Sequence, residues 1–213
     1  MIRILIADDH TIVREGLKQI VAEVSDMEVT DVARDGQEAL SKALTGDYDV
    51  IILDISMPVK TGLDVLRELK EKRPGLNILI LSVYPEEQYA LRVIKAGASG
   101  YLTKESAPEE LITAIRRVSQ GRKYITLSLA EALALDIEHP SEKLSHETLS
   151  EREYKVMCMI GSGKAMNEIA SELFLSIKTI STYKARILKK MKLKNNSELI
   201  RYVIENNMIG YVG

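Results

Sequence analysis

Val50-Ile51-Ile52-Leu53-Asp54-Ile55-Ser56-Met57-Pro58 reads as four apolar residues without a polar break, then a carboxylate, then a turn carrying a proline. A short, continuous, β-branched run predicts a strand buried on both faces, as in a parallel sheet covered by helices. Working outward, residues 2–7, 29–33, 78–81 and 100–102 read as four more strands. Amphipathic helical patterns fill residues 12–24, 37–44, 62–72, 86–95 and 108–120, with apolar residues at three- and four-residue steps such as Leu111, Ile112, Ile115 and Val118. Strict strand–helix alternation predicts right-handed crossovers and one α/β doubly wound, five-stranded parallel sheet.

Beyond Gly121 the alternation stops. Residues 128–147 are polar or weakly helical around His139, Pro140 and Ser141, which predicts a linker. Four helical patterns follow at 150–161, 167–173, 177–191 and 197–206 with no strand between them, an all-α unit. Ser150 with Glu153 forms a capping box, and Ser176 is an N-cap candidate ahead of Ile177. The expected organisation is a first domain over 1–122, a linker over 123–146 and a helical domain over 147–213.

The 213 residues carry 29 basic and 31 acidic side chains, a net charge of -2 that argues against a nucleic-acid partner until it is divided. Residues 1–125 sum to -3, residues 126–144 to -3 and residues 145–213 to +4. No Asp or Glu occurs from Leu173 to Ser197, where seven lysines and arginines fall. A charge run of this kind is by default a solvated helix face. Cys158 is the sole cysteine, so no internal disulfide forms, and three scattered histidines exclude a His-cluster metal centre. With no tryptophan and one phenylalanine the core must be aliphatic. No run reaches the length of a membrane span, and Met1 to Leu5 enters a strand pattern directly, so a cytoplasmic protein without membrane association is expected.

In a parallel α/β sheet ligands sit beyond the carboxyl ends of the strands. The residues there are Asp8 and Asp9, Asp54, Ser82, and Thr103 with Lys104. Three carboxylates at one sheet edge require a cation, and an oxygen-rich set suits magnesium. Asp54, at the end of the most apolar strand, is placed to act as a nucleophile toward phosphorus. Lys104 could balance the charge of an acyl phosphate, and Ser82 could donate to one of its oxygens. Taken singly, Asp8 and Asp9 also read as helix caps and Asp54 as a turn residue ahead of Pro58. A dinucleotide site is disfavoured, because Ala7-Asp8-Asp9-His10 repels phosphate where a glycine-rich cradle would bind it.

Asp8-Asp9-His10, Asp54 with Met57-Pro58 and Gly62, Ser82, and Ala96-Gly97-Ala98-Ser99-Gly100-Tyr101-Leu102-Thr103-Lys104 together resemble the receiver domain of two-component response regulators, a flavodoxin-like fold, over residues 1 to about 120. The resemblance implies that Asp54 is the phospho-acceptor. Mg2+ would be bound by Asp8, Asp9, Asp54 and the Ser56 backbone carbonyl. Ser82 would be the switch hydroxyl, Tyr101 the aromatic that moves into space vacated by Ser82, and Lys104 the pocket lysine. It also implies self-phosphotransfer and autodephosphorylation only, with a sensor histidine kinase as phosphodonor. As read from the residues alone, a phosphatase acting on small molecules is disfavoured by the lack of an inserted cap.

Residues 167–173, a break at 174–176 and residues 177–191 have the helix-turn-helix pattern, whose second helix enters the major groove. Ile169, Ala170 and Leu173 are expected to pack on Ile177, Ile180 and Ile187. The outer face would bring Lys178, Thr179, Ser181, Thr182, Lys184, Ala185 and Lys189 to DNA, with Lys190 reaching a phosphate. A protein-docking bundle is the alternative, and Met157, Met159 and Met166 read as core filling. Leu149-Ser150-Glu151-Arg152-Glu153, Asn167-Glu168-Ile169-Ala170 and Leu175-Ser176-Ile177-Lys178-Thr179-Ile180 resemble the LuxR-type output domain over about residues 146–210. The whole chain is thereby identified as a NarL/FixJ-type response regulator, its second half nearest the BvgA/EvgA-like branch. Ser181 and Tyr183 stand where many members have Lys and His. The resemblance implies double-stranded promoter DNA as partner, a homodimer on activation, and RNA polymerase as a further partner. Leu199, Tyr202 and Val203 of the last helix read equally as dimer contacts or as core.

Overall fold

The structure, a computed structural model, describes residues 1–138, 145–206 and 208. Its first unit holds one parallel sheet of β1 (Ile2–Ala7), β2 (Met27–Ala33), β3 (Val50–Leu53), β4 (Ile78–Ser82) and β5 (Gly100–Thr103), in the order β2-β1-β3-β4-β5. The helices α1 (Thr11–Ala22), α2 (Gly36–Thr45), α3 (Gly62–Lys72), α4 (Glu86–Lys95) and α5 (Pro108–Ser119) connect and cover them. All four residues of β3 are buried, as the unbroken apolar run requires, and Ile4, Ile6, Val50, Ile52 and Leu79 form one core with Leu111, Ile115 and Val118 of α5.

The stretch read as linker is corrected in part. Residues Leu127–Glu138 form a helix, α6, and the first unit extends through Ile137 rather than ending near 122. Leu129 is buried and the Tyr124 amide donates to the Ser99 carbonyl at 2.8 Å, extending the edge of β5. Polar residues at 126, 128 and 131 obscured this amphipathic segment in the sequence. The expected linker centre, His139, Pro140 and Ser141, lies outside the described residues.

The second unit, Glu138–Gly213, holds a 3₁₀ turn (Ser145–Thr148) and the helices α7 (Glu151–Gly161), α8 (Met166–Glu172), α9 (Ile177–Lys190) and α10 (Asn196–Glu205). The Ser150 and Glu153 capping box forms at the start of α7, and Ser176 Oγ accepts from the Thr179 amide at the start of α9. Val156, Met157, Met159, Ile169, Ile180, Ile187, Leu199 and Val203 are buried together. A Cβ on Gly161 would come within 2.3 Å of Val203, so α7 and α10 approach closely there. Leu199 and Val203 are thus core residues of their own domain rather than surface dimer contacts. Ile177, expected in the core, is 54% exposed at the first position of α9.

Candidate functional site

The strand order reverses between β1 and β3, which opens a crevice at their carboxyl ends. Asp8 and Asp9 follow β1 and Asp54 follows β3, so the three carboxylates flank that crevice. Asp8 and Asp54 are each 2% exposed and Asp9 is half-buried. Lys104, directly after β5, reaches in until Nζ lies 2.6 Å from Asp8 Oδ2 and 3.0 Å from Asp54 Oδ2. Ser82 ends β4, fully buried, and its carbonyl accepts from the Lys104 amide at 2.7 Å.

The close approach of the loop after β3 depends on Gly62. Its amide donates to the Ile55 carbonyl at 2.8 Å, and a Cβ there would stand 1.9 Å from the Asp54 carbonyl oxygen. The same loop forces Val59 to φ +67 while the Lys60 amide donates to the Pro58 carbonyl at 2.7 Å. A β-branched residue at the centre of such a three-residue turn is strained.

Burial raises the Asp54 pKa above the ordinary carboxylate value. The neighbouring Asp8 adds to the rise, and the Lys104 ammonium and the Ser56 amide pull against it. For Lys104, burial disfavours the charge, yet its contacts with Asp8 and Asp54 carry its pKa above the ordinary lysine value. The two directions agree on one picture, a pocket short of positive charge. Asp54 Oδ1 is buried without a hydrogen-bond partner. Asp8, Asp9, His10 and Asp54 each offer a ligand atom within 4.8 Å of one another. This donor set fits a hard divalent cation.

The helix-cap reading of the aspartates gives way to a different arrangement. His10 is the N-cap residue of α1 and makes no side-chain cap bond, while Asp8 Oδ1 accepts the His10 amide at 2.8 Å. His10, whose Nδ1 lies 2.8 Å from Asp9 Oδ1, was not singled out in the sequence, although its place after the aspartate pair was the signal.

Tyr101 is buried, and its Oη donates to the Tyr84 carbonyl at 2.7 Å. Burial, partly offset by a hydrogen bond with Ser82, raises its pKa well above the ordinary tyrosine value. Tyr84 itself escaped the sequence reading. Its amide donates to Ser82 Oγ at 3.2 Å, its hydroxyl accepts from Ser56 Oγ at 3.3 Å, and its ring stacks on Tyr89 with centroids 4.5 Å apart.

On the second unit, α9 presents Lys178, Ser181, Thr182, Ala185 and Lys189 on its exposed side, opposite Ile180 and Ile187. Thr179 is half-buried and bonded to the Ser176 cap. Lys184 is half-buried as well, one residue from the exposed row. Lys190 Nζ lies 2.6 Å from the buried Glu153 carboxylate, an ion pair within the second unit. Ser176, Lys178, Thr179, Thr182, Tyr183 and Arg186 line a shallow groove of about 290 Å³. Arg186 joins this groove unannounced, although its four- and eight-residue spacing from Thr182 and Lys178 marked the same flank.

Residues 4–116 match the family described as response regulator receiver domain, and residues 147–203 match the bacterial regulatory proteins of the luxR family. The chain is 37% identical to the oxygen regulatory protein NreC of Staphylococcus epidermidis over 98% of this chain and 100% of that one. It is 35% identical to the response regulator UvrY of Escherichia coli, over 98% and 96% of the two chains. Among solved structures it is similar to RcsB of Salmonella enterica serovar Typhimurium bound to promoter P1flhDC in the presence of the phosphomimetic BeF3-. That match has 27% identity and a TM-score of 0.58, over 95% of this chain and 97% of that one. It is equally similar to a structure of two RcsB dimers bound to two parallel DNAs, with 27% identity and a TM-score of 0.57 over 95% and 98%. A receiver joined to a LuxR-family output domain along one chain, with relatives alike over almost their full length, places this protein among the response regulators of the NarL/FixJ type, which are DNA-binding transcription regulators.

Proposed function

We infer that this regulator is activated by phosphorylation of Asp54. The observation that carries the reading is the buried Asp54 carboxylate set between Asp8, Asp9 and Lys104 at the sheet's switch point, with one oxygen unpartnered. A carboxylate oxygen attacks the phosphorus of a phosphohistidine on a sensor kinase. The new P–O bond forms as the P–N bond breaks, and the imidazole leaves as its neutral form after taking up a proton. Mg2+, held by Asp8, Asp9, Asp54 and the Ser56 carbonyl, would supply positive charge for the phosphoryl oxygens. Lys104 is positioned to shift from the free carboxylates to the acyl phosphate, and Ser82 Oγ to donate to it. No outside substrate is turned over in this scheme beyond self-phosphotransfer and autodephosphorylation.

Phosphorylation then favours a homodimer that engages promoter DNA through Lys178, Thr179, Ser181, Thr182, Lys184, Ala185 and Lys189, in the cytoplasm and with RNA polymerase as a further partner. The RcsB structures on DNA support the DNA and dimer steps by similarity. The test is incubation of the full chain and of Asp54→Asn with acetyl phosphate and Mg2+. Labelling of the wild type and loss of labelling in the variant are expected; equal labelling would assign the acceptor elsewhere.

A further inference from the structure

The segment that leads from the receiver into the second unit is fastened to the pocket by a short chain of polar contacts. Its last link is a single carboxylate oxygen. Thr126 Oγ1 and Ser128 Oγ both donate to Glu86 Oε1, the latter at 2.6 Å. Glu86 is the first residue of α4, two positions beyond Tyr84. Thr126 is at the same time the cap of α6: its Oγ1 accepts from the Leu129 amide at 3.3 Å and its carbonyl from the Ala130 amide at 3.0 Å. The carboxylate therefore orients the hydroxyl that starts α6.

The same turn is held at two further points. Tyr124 Oη donates to Glu110 Oε1 on α5 at 2.9 Å, and burial followed by that bond and the charges of Glu110 and Glu86 pushes its pKa up to about 12. Tyr124 also bridges Gly100 of β5. The attachment at Glu86 connects to the pocket through the main chain of Tyr84 and the hydroxyl of Ser82. Ser82 Oγ accepts the Tyr84 amide, and the Tyr84 carbonyl accepts Tyr101 Oη. A shift of Ser82 toward a phosphoryl group gives up the Tyr84 amide bond and releases the backbone that carries Glu86.

We propose that Glu86 is a positioning residue that couples the state of the Asp54 pocket to α6. The path runs Ser82, Tyr84 main chain, Glu86, then the hydroxyls of Thr126 and Ser128. Two hydroxyl donors on one carboxylate oxygen make the link sensitive to small displacements, because charge-assisted hydrogen bonds lose strength steeply once distance and angle degrade. α6 is the element nearest in sequence to the output domain, so its cap is where a receiver change first reaches the connecting chain. This inference rests on phosphorylation of Asp54.

The experiment follows backbone amide exchange of residues 129–134 in the full chain, with and without acetyl phosphate and Mg2+, while Asp54 phosphorylation is scored on the same samples by intact mass. In the wild type, phosphorylation is expected to change exchange in α6. Thr126→Val with Ser128→Ala should be phosphorylated normally, exchange about tenfold faster in α6 without phosphodonor, and lose the phosphodonor response. Glu86→Gln should lose the response likewise, whereas Thr126→Ser, which keeps the hydroxyl, should behave as wild type. A phosphorylated wild type whose α6 exchange does not change overturns the coupling and leaves Asp54 as acceptor. An undiminished response in Glu86→Gln overturns the role of Glu86. Failure to label wild-type Asp54 overturns the phosphorylation reading, and the coupling with it.

Discussion

Asp54 and Glu153 are both buried carboxylates that face a lysine, and the fold drives them in opposite directions. Asp54 shares Lys104 with Asp8 and leaves Oδ1 without a hydrogen bond, so burial wins and its pKa rises. Burial pushes Glu153 upward too, but the Lys190 ammonium and the Ser150 amide overcome it and hold its pKa below the ordinary glutamate value. Both side chains are closed to solvent, but Asp54 lies deeper and beside a second carboxylate, Asp8, whereas Glu153 has Lys190 and the Ser150 amide and no like charge among the causes of its shift. A satisfied buried carboxylate is costly to strip of its partners, and an unsatisfied one is poised for a ligand.

The largest effect expected from breaking this comparison is at Asp54. Asp54→Asn should abolish phosphorylation while raising receiver stability at neutral pH by about 1 kcal/mol, since a neutral amide has no buried charge to desolvate. Denaturant unfolding of the unphosphorylated chain without Mg2+ measures this, and a destabilised variant would contradict the assignment of Asp54 as under-satisfied. Next is Glu153→Ala, which removes the capping box and orphans Lys190. It should destabilise the second unit by roughly 2–3 kcal/mol, read from its own unfolding transition.

The pH dependence at these two positions sharpens the contrast. The stabilising contribution of Glu153, with a lowered folded pKa, is present above the ordinary glutamate value and lost as pH falls through the folded one. The difference between wild type and Glu153→Gln should therefore shrink between about pH 5 and pH 3. For Asp54, with a raised folded pKa, the sign reverses: its cost is present at neutral pH and relieved as the carboxylate takes up a proton. The advantage of Asp54→Asn should vanish on acidification, and an advantage that grows instead would refute the raised pKa.

Smaller effects separate solvated from buried charge. Lys178→Ala and Lys189→Ala, on the exposed face of α9, should each reduce the salt slope of DNA binding by about one unit. Lys184→Ala should change it less, because that side chain is half-buried. Titrations on one duplex at several salt concentrations distinguish them, and an equal loss of slope for all three would make Lys184 as full a phosphate contact as the two exposed lysines. The smallest effect is at Val59, where glycine removes the strain of φ +67. Val59→Gly should stabilise the receiver by up to about 1 kcal/mol in thermal unfolding, the unfolded-chain entropy of glycine opposing part of the gain.

Much of the molecule was legible because it is written in local patterns. The run Val50 to Leu53 announced a buried strand, and residues at the strand ends announced a pocket, since strand termini in a parallel sheet converge whatever the loops do. Ser150 with Glu153 and Ser176 announced helix starts through bonds that span three residues. Lys190 and Ile177 share one lesson: periodicity gives the face of a helix but not the neighbour that meets it. Glu153, 37 positions away, pairs with Lys190, and Ile177 stays 54% exposed among the described residues. The helix at Leu127–Glu138 read as polar or weakly helical because the contacts that hold its start, Thr126 and Ser128 on Glu86, are remote in the chain.

By itself the sequence determined the two-part architecture, the acidic constellation Asp8, Asp9, Asp54 and Lys104, and the opposite charges of the two halves, because each follows from residue type and spacing. Only the tertiary structure decided which carboxylate is satisfied and which is not, that Leu199 and Val203 belong to a core, and that Tyr84 and Glu86 join the pocket to α6. Those outcomes depend on hydrogen bonds and burial between residues far apart in the chain, and such partners exist only once the strands and helices have packed.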